Sequence, residues 1–236
     1  MWIHSPNITC THGFSKRQGG ISPTPFNALN LGGSQDDISN IQTNRTLALN
    51  QLNLNSKNVC TLKQVHGTHV CLAEIGSQEG DGLVTNQQNL ILAVSVADCY
   101  PILFYEPKQQ VIGAVHAGWR GTVGKIVANT ISEMAHLGAK PENIQVAIGQ
   151  GISQKNFEVG KEVIQQFEAA GFPSTCWHEN KIDLVRCNRH VLLQNKILEK
   201  NIWAMNRCTF EDDFFSYRQD KGITGRMWAV ISMQEI

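Results

Sequence analysis

The stretch VIGAVHAGWRGTVGK, residues 111–125, contains the change from strand to helix that decides the fold class. Its first half, VIGAVHAG, is a continuous apolar run typical of a buried strand. Between Val123 and Met134 apolar residues then recur close to the i, i+3, i+4 spacing of a helix face, and Gly138 predicts the end of that helix. A buried strand leading into an amphipathic helix indicates a mixed α/β architecture.

Segments on both sides of this stretch extend the same pattern. LILAVSVADC, residues 90–99, predicts another buried strand, which Pro101 interrupts before ILFYE resumes it. Residues 58–75 predict two strands that meet at HGTH, with Gly67 in the turn. Further helices are expected over 160–170 and after Asp183, which can cap one, and a final strand over 225–233. We expect one α/β domain, residues 1–236, built on a mixed α+β sheet.

The bulk composition excludes several classes of protein. Among the 236 residues, 20 are Lys or Arg and 20 are Asp or Glu, so the net charge is zero and no nucleic-acid footprint is expected. Seven scattered cysteines without a CxxC pair favour a cytoplasmic protein with reduced thiols over a disulfide framework. No apolar run is long enough to cross a membrane. We expect a small-molecule substrate and a monomer or small homo-oligomer.

Three predicted strands end at side chains that can bind a metal. These are LKQVHG with His66, VSVADC with Cys99 and GAVHAG with His116. Strand ends in mixed sheets are where sites commonly assemble, and a His₂Cys set is a catalytic zinc arrangement with one open position. The same ligands suit copper. The spacings of 33 and 17 residues form no local motif, and a single histidine or cysteine at a strand end is more often structural than a metal ligand.

Two alternatives remain open at this cluster. His69, three positions after His66, is a rival ligand. Cys99 is also a candidate nucleophile, with a histidine as its base and the neighbouring Asp98 as the acid that orients it. A thiolate bound to a metal is not free to attack, so the nucleophile and ligand roles compete.

Arginines in glycine-rich loops indicate an anionic ligand. Arg120 in HAGWRGT follows the strand exit, where a guanidinium and a helix start can both face an anion. Neither the P-loop pattern nor GxGxxG is satisfied, because Trp119 and Gln154 stand where glycine is required. Arg17, Arg218 and Gln64, which lies two residues before His66, are candidate substrate-binding residues.

Taken together, these segments resemble a known family. KRQGGIS, NALNLG, LKQVHG, DGLVT, VADCYPI, AVHAGWRGT and FFSYRQD with TGRM occur in the order of the YfiH, or laccase-domain, family. The family is described as multicopper polyphenol oxidase-like and as purine nucleoside phosphorylases. The resemblance runs from about Arg17 to Met227 and includes the highly specific ADCYP and HAGWRG. One departure is visible, since IGQGIS, residues 148–153, replaces the family's frequent IGPCIG.

The resemblance implies a zinc site at His66, Cys99 and His116 and a set of activities. These are purine nucleoside phosphorolysis, methylthioadenosine phosphorolysis and adenosine deamination. Zinc activates water for deamination, Asp98 would shuttle protons, and Arg120 would hold phosphate. The alternatives are a copper-dependent polyphenol oxidase and a cysteine hydrolase that acts on peptidoglycan precursors.

Overall fold

Two six-stranded sheets form the framework of this computed structural model, which describes residues 1–33 and 35–234. In sheet 1 the strand order is β1 (Trp2–Ile3), β2 (Thr11–Ser15), β14 (Met227–Ser232), β7 (Ile91–Val96), β3 (Val59–Lys63) and β5 (Gly76–Glu79). In sheet 2 it is β13 (Ile202–Ala204), β10 (Gln145–Ile148), β8 (Tyr100–Glu106), β9 (Val111–Ala117), β6 (Gly82–Thr85) and β4 (Val70–Leu72). Both sheets combine parallel and antiparallel pairs, which confirms the mixed α/β class.

The helices cover the outer faces of the two sheets. Buried residues of α1 pack on sheet 1, and α3 and α5 contribute to the core cluster on sheet 2. The described residues also include a short hairpin of β11 (Trp177–His178) and β12 (Lys181–Ile182). The helices are α1 (Ile38–Asn50), α2 (Trp119–Val123), α3 (Ile126–His136), α4 (Lys161–Ala169) and α5 (Leu184–Gln194).

Strand β14 shows why the apolar runs are continuous. Its residues Trp228 and Val230 belong to the cluster under α1, whereas Ala229 and Ile231 belong to the cluster between the two sheets. Side chains alternate between the faces of a strand, so a strand covered on both sides needs apolar residues throughout. Full burial of a valine or isoleucine contributes about 1.5–3 kcal/mol, so these runs stabilise the fold.

The strand exits are crossovers between the sheets, which corrects two expectations. Strands β7 and β8 lie in different sheets, and the break between them falls at Asp98, whose φ is +87°, whereas Pro101 is part of β8. The strands on either side of HGTH likewise form no hairpin, because β3 joins sheet 1 and β4 joins sheet 2. The sequence pattern shows strand ends but not the partner sheet, which long-range pairing decides.

The helical segments agree with the sequence patterns except for one break. Asp183 caps α5 by accepting a hydrogen bond from the Arg186 N–H, and Gly138 has a φ of +95° after α3. The single helix expected after Gly121 is two helices, because Lys125 adopts a left-handed φ of +59° between α2 and α3. In the segment between β2 and α1, Phe26, Leu29 and Leu31 are buried and anchor the chain.

Candidate metal centre

The three predicted ligands come together where the two sheets adjoin. The candidate ligand atoms of His66, Cys99 and His116 all lie within 4.8 Å of one another. The two imidazole rings are 4.8 Å apart between centroids and nearly perpendicular, at 86°. His66 is exposed, Cys99 is half-buried and His116 is buried, so the cluster opens to solvent on one side. His69, the rival ligand, lies outside this cluster.

Asp81 organises the centre and is not among the residues predicted from the sequence. Its fully buried carboxylate accepts a hydrogen bond from His116 Nδ1 at 2.8 Å. It also accepts hydrogen bonds from the backbone N–H groups of His66 at 3.0 Å, Gly67 at 2.7 Å and Val65 at 3.3 Å. One carboxylate therefore fixes the loop that carries His66 and orients the ring of His116, leaving Nε2 of His116 for the centre.

The sequence contains one signal for this role. Asp81 directly precedes the buried strand β6, and its backbone carbonyl accepts the N–H of His116 at 2.8 Å. An acidic residue at the start of a buried strand needs hydrogen-bond partners, since an isolated buried charge is costly. The identity of those partners depends on the sheet pairing of β6 with β9, which a single sequence does not supply.

Electrostatics at the centre favour a thiolate. Burial raises the pKa of Cys99, but the charge and hydrogen bond of His116, together with His66, outweigh it and lower the pKa. For His116, burial lowers the pKa, while the charge of Cys99 and the hydrogen bond to Asp81 raise it overall. A thiolate beside imidazoles is the form of cysteine that binds a metal or acts as a nucleophile.

Gly118 keeps the centre open. A Cβ atom at this position would lie 2.9 Å from Cys99 Sγ and 3.3 Å from His66 Cδ2. Its φ of −75° suits any residue, so the requirement for glycine is one of space. Any side chain at position 118 would therefore occupy the space beside the Cys99 thiol and the His66 ring.

The donor set and this space fit a metal ion. Zinc bonds of about 2.3 Å to sulfur and 2.0–2.1 Å to nitrogen place tetrahedral ligand atoms roughly 3.3–3.6 Å apart. The candidate ligand atoms of the three residues lie no more than 4.8 Å apart, so small side-chain rotations would bring them to the spacing of zinc ligands. One thiolate and two imidazoles supply three ligands, which leaves a fourth position for water or substrate.

Asp98 is held by hydrogen bonds on both carboxylate oxygens. Oδ1 accepts from the hydroxyls of Thr209 and Ser216, each at 2.6 Å, and Oδ2 accepts from the Arg218 N–H at 2.7 Å. The backbone carbonyl of Asp98 accepts the N–H of Ile152 at 2.8 Å. These contacts tie the turn before Cys99 to two neighbouring loops. A proton-shuttle role for Asp98 stays a prediction.

Arg120 presents a guanidinium without a carboxylate partner. It lies in α2, directly after the glycine turn, and its guanidinium carbon is 4.3 Å from the ring centroid of Trp119. Within the described ranges its side chain forms no ion pair. Because α2 has only five residues, the guanidinium rather than a helix end is the group available to an anion.

The three predicted substrate-binding residues have structural contacts of their own. Both amide atoms of Gln64 bond the backbone of Ser95 at 2.8 Å, joining the ends of β3 and β7. Arg17 donates to the carbonyl oxygens of Asn27 and Phe214. Arg218 donates to the Glu158 carbonyl oxygen at 3.1 Å, and its backbone N–H holds Asp98. Their contact with substrate stays a prediction.

The departure in IGQGIS is accommodated by local packing. A Cβ atom at Gly151 would lie 2.6 Å from the ring of Tyr100, so this position accepts no side chain with the ring in place. Gln150 is fully buried and donates through Nε2 to the Ser15 carbonyl oxygen at 3.3 Å. Its Oε1 has no hydrogen-bond partner in the described part of the chain.

Fold and site together define a protein with a mixed two-sheet fold and a His-Cys-His cluster at the strand exits. The model of the family described as multi-copper polyphenol oxidoreductase laccase matches residues 11–234. The chain therefore belongs to this family, the YfiH-type laccase-like proteins that the sequence motifs resemble.

Relatives of known structure and name support this membership. A purine nucleoside phosphorylase of Deinococcus radiodurans is 42% identical over 235 residues, which cover 98% of this chain and 92% of the relative. The purine nucleoside phosphorylase YlmD of Bacillus subtilis is 30% identical, over 94% of this chain and 88% of the relative. The crystal structure of YlmD from Geobacillus stearothermophilus has a TM-score of 0.91 at 30% identity, over 99% of this chain and 96% of that one.

Proposed function

We propose that this chain is a zinc-dependent purine nucleoside phosphorylase. The observation that carries the proposal is the cluster of His66, Cys99 and His116, whose ligand atoms lie within 4.8 Å of one another. Relatives that align over nearly the whole chain are named purine nucleoside phosphorylases, which supports the substrate class.

The three cluster residues would hold the zinc ion. When bound there, zinc would supply Lewis-acid chemistry to a water molecule or a substrate oxygen. Asp81 would keep Nδ1 of His116 protonated and its ring fixed, so that Nε2 stays available as a ligand. Gly118 would leave room for the substrate beside Cys99.

In phosphorolysis a phosphate oxygen attacks C1′ of the ribose as the glycosidic bond breaks. The products are ribose 1-phosphate and the purine, which takes up a proton as negative charge develops on it. The Arg120 guanidinium would bind and orient the phosphate, because bidentate hydrogen bonds to oxyanions suit arginine. Arg17 and Arg218 are proposed to bind substrate beside it, together with Gln64.

The same site is proposed to cleave methylthioadenosine and to deaminate adenosine. Cleavage of methylthioadenosine breaks the same kind of glycosidic bond. In deamination the oxygen of a water molecule adds to C6 of adenine, and ammonia leaves after taking up a proton. Asp98 is the proposed proton carrier, and release of its carboxylate from one hydroxyl donor would be needed for that role.

A cysteine hydrolase acting on peptidoglycan precursors is the second candidate. The lowered pKa of Cys99 beside His116 is the specific observation that favours it. A copper-dependent polyphenol oxidase is weaker, because residues 1–33 and 35–234 contain a single His/Cys/Asp/Glu group suited to a metal. Several coppers need several such groups.

The setting of the enzyme is part of the proposal. All seven cysteines are free, which supports a reducing compartment such as the cytoplasm. Of the helices in the described ranges, none has the length and apolar character to span a bilayer. A monomer or small homo-oligomer that uses zinc rather than copper remains our proposal.

The proposal is tested by loading the protein with zinc and incubating it with adenosine, with and without phosphate. We expect ribose 1-phosphate and adenine only with phosphate, inosine without it, and about one zinc per chain. Unchanged adenosine under both conditions would contradict the proposal.

A matched pair of variants assigns the activity to the cluster. His66→Ala should lose zinc and both products. His69→Ala, which removes an exposed histidine three residues away, should keep both. Activity of zinc-free Cys99→Ala protein would overturn the role of the cluster, and hydrolysis of amides by zinc-free wild-type protein would favour the second candidate.

A further inference from the structure

A cleft lined by both polar and apolar side chains lies on the outer face of sheet 1, beside α1. Its volume is about 310 Å³. It shares no residue with the metal centre, and none of its lining residues is acidic. The residues that matter here are Gln42, Arg45, Ser56, Thr61, Gly76 and Trp228.

Arg45 supplies the charge of this cleft. Its guanidinium carbon lies 4.7 Å from the ring centroid of the fully buried Trp228, and its Nε donates to the Leu31 carbonyl oxygen at 2.8 Å. Its two terminal amino groups form no hydrogen bond or ion pair with the part of the chain that the structure describes. Four N–H donors of a half-buried cation are therefore left for another molecule.

The energetics of this arrangement are unfavourable without an anion. Burial lowers the pKa of Arg45, and no opposing acid offsets the loss of hydration. A charge taken partly out of water costs free energy unless it is paired and hydrogen-bonded. Stacking on Trp228 offsets part of that cost, but it satisfies none of the terminal N–H groups.

The same cleft is lined by further side chains that can donate hydrogen bonds. The Thr61 hydroxyl already donates to the Gly76 carbonyl oxygen at 3.0 Å, so its proton is committed. The side chains of Ser56 and Gln42 have no hydrogen-bond partner among the described residues. A hydroxyl and an amide N–H₂ are thus free to add to the guanidinium donors.

We propose that this cleft is a second binding site, which takes a small oxyanion: a carboxylate or a phosphate monoester. The anion accepts two parallel hydrogen bonds from the terminal amino groups of Arg45, which is the geometry that arginine offers to both groups. Ser56 and Gln42 donate further hydrogen bonds to the oxygens of the anion. The site stands independently of the proposed enzymatic function.

The indole N–H of Trp228 reports on this cleft directly. It donates to Ser95 Oγ at 2.9 Å, while the Arg45 guanidinium covers the ring of the same residue. The experiment titrates inorganic phosphate and, separately, acetate into ¹⁵N-labelled protein and follows this resonance, which Trp228→Phe assigns. We expect a saturable shift, and the tighter of the two probes identifies the class of anion.

Arg45→Gln should abolish the shift or weaken binding by about tenfold or more, the effect of a lost charge-assisted hydrogen bond. Arg45→Lys, which keeps the charge without the fork, should weaken it less. Lys57→Gln is the matched control, since it removes a neighbouring charge that does not line the cleft, and should bind as wild type. An unchanged midpoint in Arg45→Gln, or no saturation by either probe, would overturn the proposal.

Two further variants keep the test decisive. Ser56→Phe fills the cleft without touching the Arg45 bond to Leu31, so it should lose binding even if Arg45→Gln unfolds. Retained binding in that variant contradicts the site. His116→Ala should keep the Trp228 response, which separates this cleft from the metal centre, and loss of the response there contradicts an independent site.

Discussion

Replacing Asp81 with asparagine should loosen the metal centre without touching any of its ligands. The carboxylate accepts four hydrogen bonds, from His116 Nδ1 and from the N–H groups of Val65, His66 and Gly67. Asparagine keeps one acceptor oxygen and turns an N–H₂ group toward donors. At about 1.5–3 kcal/mol for each lost charge-assisted bond, two losses cost about 3–6 kcal/mol of unfolding free energy.

Zinc affinity should fall by about 10–100-fold, the usual effect of removing the carboxylate behind a metal-bound histidine. Competition with a chromophoric chelator measures the affinity, and urea denaturation measures the unfolding free energy. Glu79→Gln is the control, because Glu79 is an exposed carboxylate two residues away that pairs with Lys63. Zinc binding within about twofold of wild type in Asp81→Asn would refute the positioning role.

Three further predictions concern the centre, the long loop and the surface charges. Gly118→Ala should weaken zinc binding by about tenfold in the chelator assay with little loss of stability, because its Cβ would lie 2.9 Å from Cys99 Sγ; equal affinity would contradict this. Asn44→Ala should lower the unfolding free energy measured in urea by about 2–4 kcal/mol, because the buried Asn44 side chain on α1 makes four hydrogen bonds to residues 21–30. A change below about 1 kcal/mol would contradict this prediction. Hydrogen bonds from Lys16 and Arg207 lower the pKa of Asp213 below 3.8. Above that pH its carboxylate should therefore contribute about 1 kcal/mol to the unfolding free energy. This contribution is lost as the pH falls through the lowered folded pKa, so the stabilities of Asp213→Asn and wild type should converge in acid; a constant gap down to pH values well below 3.8 would contradict it.

The cluster of His66, Cys99 and His116 was predictable because each residue lies near the end of a local apolar pattern. His66 and Cys99 come shortly after β3 and β7, His116 is close to the end of β9, and strand ends are where sites assemble. The motifs around them also made the family recognisable. The helix cap at Asp183 was equally local and is confirmed.

Asp81 was not predictable because its partners are distant in sequence. Its bonds span 14 residues to Gly67 and 35 to His116, and they form only when β6 pairs with β9 and the chain crosses between sheets at HGTH. The same reason explains why the predicted interruption of a strand at Pro101 is wrong, since membership of a sheet depends on pairing rather than on local pattern.

We propose above that the His-Cys-His cluster holds a zinc ion and cleaves purine nucleosides with phosphate. The most direct measurement follows adenosine and its products in zinc-loaded wild-type and His116→Ala protein, with and without phosphate. We expect phosphate-dependent formation of ribose 1-phosphate by the wild type and none by the variant. Equal product from both proteins, or none from zinc-loaded wild type, would contradict it.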